Sequence, residues 1–221
     1  MVTQRGNVVV ICAHSDDEIF GPGGTLAKYA REGRKVYSII FSYGASTHPH
    51  FKTDVIIRIR QQEAEQADKI IQGSGVFFLG LSEGKFEKEF ADKEAELVAL
   101  IKRLHPTDIF THSRDDTHQD HRAVHRLAVR TYDSMKLKAD MYTFDIWNVT
   151  RWHRRDMPRL VVDVSQTFTV KMRALRCFKS QINLTSYVVL NNVLYVKTAI
   201  SAVWCGLRHK FRFAEVFYKV R

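Results

Sequence analysis

Short runs of apolar residues alternate along the chain with longer segments whose apolar positions recur at helical spacing. Residues 7–13 form the clearest run, with Val8, Val9, Val10 and Ile11 in succession. An apolar run without polar alternation is typical of a strand buried on both faces, as in a parallel sheet. Further strands are predicted at 35–42, 75–79, 108–111, 141–147, 160–164 and 213–220.

Amphipathic segments separate these runs and predict helices. Residues 92–104 carry apolar side chains at helical spacing and stop before Pro106, which disfavours helix at the residue that precedes it. Other helices are predicted at 24–32, 54–72, 119–135 and 169–180. Strands that alternate with such helices indicate βαβ units. We therefore predict a single α/β domain over residues 1–221, a Rossmann-like three-layer sandwich with a mostly parallel sheet.

The most apolar segment of the chain, residues 187–207, is interrupted by polar side chains. Asn191, Asn192, Lys197 and Ser201 make a bilayer-spanning helix a poor interpretation. A buried helix, or a helix in the interface of a homo-oligomer, fits the pattern better. We expect no membrane span, and we expect a homo-oligomer.

Charge and cysteine content narrow the choice of function. The 221 residues carry a formal net charge of +10, which is compatible with a nucleic-acid partner. Lysine and arginine are spread along the chain, however, and the densest cluster, residues 151–155, stands alone, so a basic enzyme is favoured over nucleic-acid binding. The three cysteines form no CxxC motif, which favours a reducing, cytoplasmic setting, and no segment of signal-peptide type precedes the first predicted strand.

An acidic turn follows the first predicted strand. It places one imidazole and three carboxylates in five residues, His14 to Glu18. The adjacent carboxylates of Asp16 and Asp17 repel each other unless a cation or hydrogen-bond donors lie nearby. A divalent metal would relieve this repulsion, with one aspartate as a ligand and the other free for proton transfer.

A second polar segment follows the fourth predicted strand. It supplies His118, Asp120, His121 and His125. If a helix begins at Gln119, His121 and His125 lie on one of its faces. Because ligand sites of open α/β sheets lie at the carboxyl ends of strands, we expect the two segments to meet. Three ligands of histidine and aspartate type with one open position describe a catalytic zinc site.

The two segments together resemble the LmbE-like, or PIG-L-type, N-acetylglucosaminyl deacetylases. These enzymes carry a (P/A)-H-x-D-D-E turn after the first strand and a later H-x-D-H motif. Both are present here, as Ala13-His14-Ser15-Asp16-Asp17-Glu18 and His118-Gln119-Asp120-His121. Weaker similarities follow in order along the chain: the glycine-rich entry Gly21-Pro22-Gly23-Gly24, the R-x-x-E of Arg60 to Glu63, the late Lys171 with Ser180-Gln181, and the A-E-x-F of Ala214 to Phe217.

The resemblance implies a role for each matching position. His14, Asp17 and His121 would bind Zn²⁺ or another divalent metal. Asp16 would be the general base that activates water, and His118 would stabilise the oxyanion or protonate the leaving amine. Asp120 would hold a histidine in its working tautomer, and Arg60 would contact the sugar or its substituent.

The residues around these motifs depart in part from the family pattern. Some members of the family carry a tyrosine two residues before the histidine equated with His118, and this chain has Asp116 there, so the oxyanion role of that tyrosine is absent or filled by another residue. His112 and His125 are expected to be structural residues rather than ligands. Trp147 and Asn148 end the fifth predicted strand and are expected to line the sugar pocket, with a core tryptophan as the alternative.

The predicted function is zinc-dependent deacetylation of an N-acetylglucosamine-type sugar or conjugate. One alternative is a metal-dependent amidase that acts on a thiol-sugar, a glycopeptide or a non-sugar amide. A second is a basic nucleic-acid-binding protein or an inactive sugar-binding protein. Dinucleotide binding is disfavoured, because residues 21–24 lack the G-x-G-x-x-G spacing and the acidic turn would repel a pyrophosphate.

Overall fold

A single seven-stranded sheet organises the chain in the computed structural model, which describes residues 6–44, 52–148, 157–183 and 188–221. The basic cluster at 151–155 lies outside the described residues. The strands are β1 (Asn7–Cys12), β2 (Val36–Ile40), β3 (Gly75–Phe78), β4 (Pro106–His112), β5 (Asp140–Phe144), β6 (Arg159–Asp163) and β7 (Ala214–Lys219).

Helices connect the strands and cover both faces of the sheet. They are α1 (Asp17–Phe20), α2 (Gly23–Arg31), α3 (Thr53–Ile71), α4 (Phe86–Glu89), α5 (Glu94–Leu104), α6 (Gln119–Met135), α7 (Phe168–Leu175), α8 (Lys179–Asn183) and α9 (Val188–His209). A short 3-10 helix, Phe90–Asp92, joins α4 to α5.

The strand order is β3-β2-β1-β4-β5-β7-β6. Strands β1 to β5 pair in parallel, whereas β7 runs antiparallel to both of its neighbours, β5 and β6. The predicted α/β class and mostly parallel sheet are therefore confirmed.

Strand β1 explains why the core has two halves. Val8, Val10 and Cys12 enter one apolar cluster, which includes residues of α2, α3, α7 and α9. Val9 and Ile11, which alternate with these residues, enter the other cluster, formed with α5 and α6. Successive side chains of a strand point to opposite faces, so an uninterrupted apolar run serves both clusters.

The adjacent carboxyl ends of β1 and β4 bring the two polar segments together. Ile11 is in register with Thr111. Just beyond this pair the two segments touch directly, because the backbone N–H of Ala13 donates to Nε2 of His112 over 3.1 Å. This contact agrees with the expectation that the two segments meet at one edge of the sheet.

Two helical predictions differ from the structure. The helix predicted over 169–180 is divided into α7 and α8, and the break places Phe178 in the core, 1% exposed. Helix α9 begins close to where the apolar segment begins, but it is not buried, since several of its large apolar side chains are exposed. Within the described ranges, no helix has the combined length and apolar character needed to cross a membrane.

Candidate metal centre

The turn after β1 is held in an unusual backbone conformation. Asp16 precedes α1 with φ of 127°, a region that favours glycine. Its backbone N–H donates to Oε2 of Glu18 over 2.9 Å, and the backbone N–H of His14 donates to Oδ2 of Asp17 over 2.8 Å. Strain of this kind persists only where surrounding contacts enforce it, and it concentrates at functional sites.

The segment after β4 ends in a helix cap that orients His118. This residue precedes α6, and its Nδ1 accepts the backbone N–H of Asp120 over 3.2 Å. A neutral imidazole that accepts at Nδ1 carries its proton on Nε2. His118 is therefore set up as a donor through Nε2.

Asp17 is the centre around which three histidines gather. Its carboxylate oxygens lie 3.4 Å from Nδ1 of His14, 3.3 Å from Nε2 of His121 and 3.2 Å from Nε2 of His112. The rings of His112 and His121 stack with centroids 3.8 Å apart. Asp17 and both of these histidines are buried, so their charges interact through protein rather than water.

The same proximity perturbs the protonation of each group. Burial alone would raise the pKa of Asp17, but the charges of His121 and His112 hold it well below its ordinary value. Burial alone would lower the pKa of His14, but the contacts with Asp120 and Asp17 raise it to about 10. For His112 burial dominates and lowers the pKa to about 4. The cluster thus combines the ionised carboxylate of Asp17 with one imidazole that favours its protonated form, His14, and one that favours its neutral form, His112.

Two carboxylates support two of the histidines from behind. Oδ2 of Asp120 lies 3.3 Å from Nε2 of His14, and Oδ1 of Asp116 lies 3.2 Å from Nδ1 of His121. In each ring the opposite nitrogen faces Asp17. A carboxylate behind an imidazole is the usual second partner of a metal-binding histidine, because it orients the ring and makes the free nitrogen more basic.

The residues present fit a divalent metal. One ligand atom each from His14, Asp17 and His121 lies within 4.8 Å of the others. Neither ring nitrogen of buried His121 has a well-aligned hydrogen bond to a described residue, although carboxylates lie close to both. Two imidazoles and a carboxylate form the donor set of catalytic zinc sites.

Asp16 and Glu18 complete the acidic turn. Burial raises the pKa of Asp16 to about 7, although the charge of Arg60 opposes the increase. Burial likewise raises the pKa of Glu18 to about 8, because its side chain is 2% exposed and its main partner is the N–H of Asp16. Glu18 therefore serves the backbone of the turn.

Arg60 lies behind the turn rather than at an open surface. It is 1% exposed, and its guanidinium donates to the backbone carbonyls of Ser15 and Tyr43. Its remaining nitrogen, Nη1, is buried and has no hydrogen-bond partner among the described residues. Arg60 thus supports the backbone beside Asp16, and a sugar contact would require Nη1 to become accessible.

The other predicted residues occupy the rim. The rings of Trp147 and His118 lie 6.5 Å apart, and Nδ2 of Asn148 donates to the carbonyl of Asp115 over 3.4 Å. His125 does not join the cluster, because its Nδ1 lies 2.8 Å from the carbonyl oxygen of His112. The structure thus brings His14, Asp17 and His121 together, with the other predicted residues around them.

Asp116 contacts His121, which the sequence did not predict. It is 1% exposed, and its carboxylate also accepts the backbone N–H groups of His118, Ile146 and Trp147. It therefore joins the loop after β4 to the loop after β5, in addition to its contact with His121. The only sequence signal for this role was an acidic residue two positions before His118.

Comparison with known protein sequences identifies relatives that match most of the chain. It is 28% identical over 183 residues to the uncharacterized deacetylase YaiS of Escherichia coli, which covers 80% of this chain and 92% of YaiS. It is 26% identical to a probable N-acetyl-alpha-D-glucosaminyl L-malate deacetylase 2 of Bacillus cereus, over 79% of this chain and 83% of that protein.

Solved structures share the whole architecture at lower identity. The N,N'-diacetylchitobiose deacetylase of Pyrococcus horikoshii superimposes with a TM-score of 0.78 at 18% identity, covering 97% of this chain and 83% of that one. The 4-carboxy-2-hydroxymuconate hydratase GalB of Pseudomonas putida superimposes with a TM-score of 0.81 at 19% identity, covering 98% and 96%. At these identities the similarity establishes the fold, which hosts more than one reaction.

The decisive comparison concerns a family rather than a single protein. Residues 9–132 match the family described as PIG-L, GlcNAc-PI de-N-acetylase. The match spans more than half of the chain and contains both the acidic turn and the H-x-D-H segment. The chain belongs to the PIG-L family.

Proposed function

We propose that this protein is a zinc-dependent hydrolase that removes the acetyl group from an N-acetylglucosamine-type sugar or conjugate. The observation that carries the proposal is the convergence of His14 and His121 on the buried carboxylate of Asp17. The deacetylases among its relatives support the reaction type. Another divalent metal in place of zinc would suit the same ligands.

The residues around the cluster suit amide hydrolysis. When bound, the metal would supply Lewis-acid chemistry, which polarises an amide carbonyl and acidifies water. Asp16, next to the ligand Asp17 but outside the ligand set, is assigned as the general base that takes a proton from the attacking water. His118, with its proton on Nε2, is assigned as the hydrogen-bond donor that stabilises the oxyanion, and the proton that Asp16 has taken from water passes to the leaving amine.

Two further residues would position the ligands. Asp120 would hold His14 through Nε2 and leave Nδ1 for the metal. Asp116 would hold His121 through Nδ1 and leave Nε2 for the metal. Trp147 and Asn148, on the rim beside His118, are assigned to the sugar, while Arg60 would act mainly on the backbone of the turn.

The base assignment is tested by replacing Asp16 with asparagine. Asp16→Asn removes the proton acceptor but none of the three ligands, so zinc content should be retained while amine release falls about 10²–10⁴-fold. Zinc is measured by atomic absorption, and amine release is measured on N-acetylglucosamine and its conjugates. Full activity of the variant would refute the assignment.

Control variants separate this effect from loss of the site. His14→Ala and His121→Ala should lose the metal together with activity. Asp140→Asn, at the opposite end of β5, should change neither quantity. Retention of zinc by both histidine variants would contradict the ligand set.

The fold similarity to GalB favours one competing activity, hydration of an unsaturated acid. Both reactions begin with an activated water, so the metal centre alone does not distinguish them. A substrate panel does: amine release from N-acetyl sugars, thiol-sugar conjugates or other amides supports an amidohydrolase, whereas loss of absorbance from a conjugated dienoic acid supports a hydratase.

We assign the enzyme to the cytoplasm. Cys12, Cys177 and Cys205 are unpaired, which supports a reducing setting.

A further inference from the structure

Six large apolar side chains lie exposed along one face of α9. We name this set the α9 stripe, and its exposed fractions range from 41% to 70%. Its members are Val193, Val196, Ile200, Val203, Trp204 and Leu207. Their spacing of three and four residues places them on one side of the helix over about 21 Å.

Phe211 extends the α9 stripe beyond the end of the helix. It is 39% exposed, and its backbone N–H donates to the carbonyl of Gly206 over 2.9 Å. The returning chain passes so close that a Cβ on Gly206 would lie 2.7 Å from the carbonyl oxygen of Phe211. Glycine at 206 therefore permits the turn that places a further aromatic ring beside the C-terminal end of the stripe.

The charge of this part of the chain is entirely positive. Residues 164–214, here called the basic stretch, contain no aspartate or glutamate. The stretch contains eight lysines and arginines: Lys171, Arg173, Arg176, Lys179, Lys197, Arg208, Lys210 and Arg212. Less than a quarter of the chain thus contributes most of the net charge of +10.

Exposed basic residues stand at both ends of the α9 stripe. Arg208, Lys210 and Arg212 are exposed at its C-terminal end. Near the other end, the hydroxyl of Tyr195 donates to the carbonyl of Leu175 at the end of α7, which brings the exposed Arg176 close to α9. The surface therefore combines an apolar helix face with flanking cations.

We propose that the α9 stripe docks on an anionic lipid membrane surface. A helix that lies in the membrane interface inserts its apolar face into the boundary between headgroups and acyl chains, and Trp204 and Leu207 suit that depth. Flanking lysines and arginines are attracted to anionic headgroups, and the basic stretch itself contributes no carboxylate that would oppose this attraction. This is contact with one leaflet, without a membrane span.

Charge and area disfavour a second copy of the chain as the occupant. Two copies joined through this face would bring two basic stretches together with no carboxylate of either stretch between them. A stable interface also needs about 20–30 residues from each partner, more than one helix face provides. A nucleic acid would match the charge but would leave the apolar stripe without a complementary surface.

Vesicle co-sedimentation tests the proposal without any substrate, so its outcome is independent of the proposed hydrolase activity. The protein should sediment at low salt with vesicles of phosphatidylcholine containing one-third phosphatidylglycerol, and much less with pure phosphatidylcholine or at high salt. Combining Arg208→Gln, Lys210→Gln and Arg212→Gln should weaken partitioning roughly 100-fold, at about fivefold per charge. The double variant Trp204→Glu, Leu207→Glu should also lose binding.

Two controls keep these variants interpretable. Val55→Glu changes an exposed valine of α3, 41% exposed, and should bind vesicles like the parent. Vesicles should shift the fluorescence emission of the parent to shorter wavelength, and Trp204→Phe should bind but lose this shift. Circular dichroism of each variant establishes that it is folded.

Three results would overturn the proposal. The first is absence of binding to anionic vesicles at low salt. The second is a concentration-dependent dimer that the Trp204→Glu, Leu207→Glu variant disrupts, in the absence of vesicle binding, which would assign the stripe to a second copy. The third is binding to an RNA or DNA duplex that the triple glutamine variant abolishes while vesicles are not bound.

Discussion

Asp116 illustrates how one buried carboxylate can serve both the backbone and a candidate metal ligand. One of its oxygens lies against Nδ1 of His121, and the other accepts the N–H groups of Ile146 and Trp147. The nearby imidazole contributes to holding the pKa of Asp116 well below its ordinary value, against the effect of burial. The residue is therefore ionised and fixed in orientation.

The first prediction concerns replacement of Asp116 by asparagine. If the amide oxygen keeps the backbone bonds, the amide NH₂ faces Nδ1 of His121 and shifts the ring proton to Nε2, the nitrogen assigned to the metal. Zinc affinity should therefore fall about 10–100-fold. Competition with a chromophoric chelator measures the Kd. Asp115→Asn, a change of the same kind at the preceding position, should leave the affinity unchanged, and equal affinities for both variants would exclude this role for Asp116.

Sequence patterns predicted the participants of the site better than their partners. The resemblance of the H-x-D-D-E turn and the H-x-D-H segment to the family motifs implied that His14, Asp17 and His121 would lie together. That Asp120 contacts His14, and Asp116 contacts His121, depends on how two loops approach each other. No spacing within either motif contains that information.

At the scale of elements, residues of the late sequence motifs connect helices that are far apart along the chain. Lys171 of α7 donates to the carbonyls of Phe20 and Gly21 at the end of α1 and to Oε1 of Glu215 in β7. Glu215 in turn accepts the N–H groups of Gly24 and Thr25 in the first turn of α2. A carboxylate at a helix N-terminus is favourable, so this ion pair holds α1, α2 and β7 together.

A parallel tie joins α3 to α8. The carboxylate of Glu63 accepts both the backbone N–H and the hydroxyl of Ser180, over 2.7 and 2.6 Å. Arg60, one turn earlier on α3, donates to the carbonyl of Ser15. The R-x-x-E pattern therefore connects the acidic turn to the late helices through a single face of α3.

The second prediction concerns the buried pair of Lys171 and Glu215. Their side chains are 3% and 8% exposed, so Glu215→Ala leaves a buried ammonium and two uncapped N–H groups. The free energy of unfolding should fall by about 3–5 kcal/mol. Urea denaturation followed by circular dichroism provides the measurement.

The matched control is the exposed pair of Lys219 and Asp140. These side chains lie 2.7 Å apart but are 38% and 48% exposed. Lys219→Met should therefore change stability by less than about 1 kcal/mol. Similar losses in Glu215→Ala and Lys219→Met would contradict a special contribution of the buried pair.

Regular elements were predictable where periodicity was strong. The helix predicted over 119–135 coincides with α6, and the one over 54–72 differs from α3 by one residue at each end. The antiparallel direction of β7 was not predicted, because an apolar run does not specify which neighbour a strand pairs with. The four-residue helices α1 and α4 are too short to produce a periodic signal.

At the scale of the whole molecule, the proposed metal would connect two halves of the chain. Its ligands would come from the turn after β1 and from α6, about a hundred residues apart, so metal binding should stabilise the folded state. A free metal concentration of 1,000 times Kd contributes about 4 kcal/mol, and for a chain of this size that corresponds to a rise in Tm of about 8–16 °C.

The third prediction follows from this linkage. Removing the metal with a chelator should lower the Tm of the parent by about that amount, and readdition of zinc should restore it. Differential scanning calorimetry measures the change. His121→Ala, which lacks a ligand, should unfold at a temperature that the chelator does not alter. A chelator-insensitive parent would contradict a resident metal.

The position of β7 between β5 and β6 has a consequence for synthesis of the protein. In the described sheet, β6 pairs with β7 alone, so residues 159–163 have no strand partner until residues 214–219 have left the ribosome. Glu215 of β7 also accepts the N–H of Gly24 in α2 and pairs with Lys171, which in turn donates to the carbonyls at the end of α1. The support of the acidic turn therefore depends on the same late strand. We therefore expect nascent chains that stop before Ala214 to be sensitive to proteases near both β6 and the acidic turn.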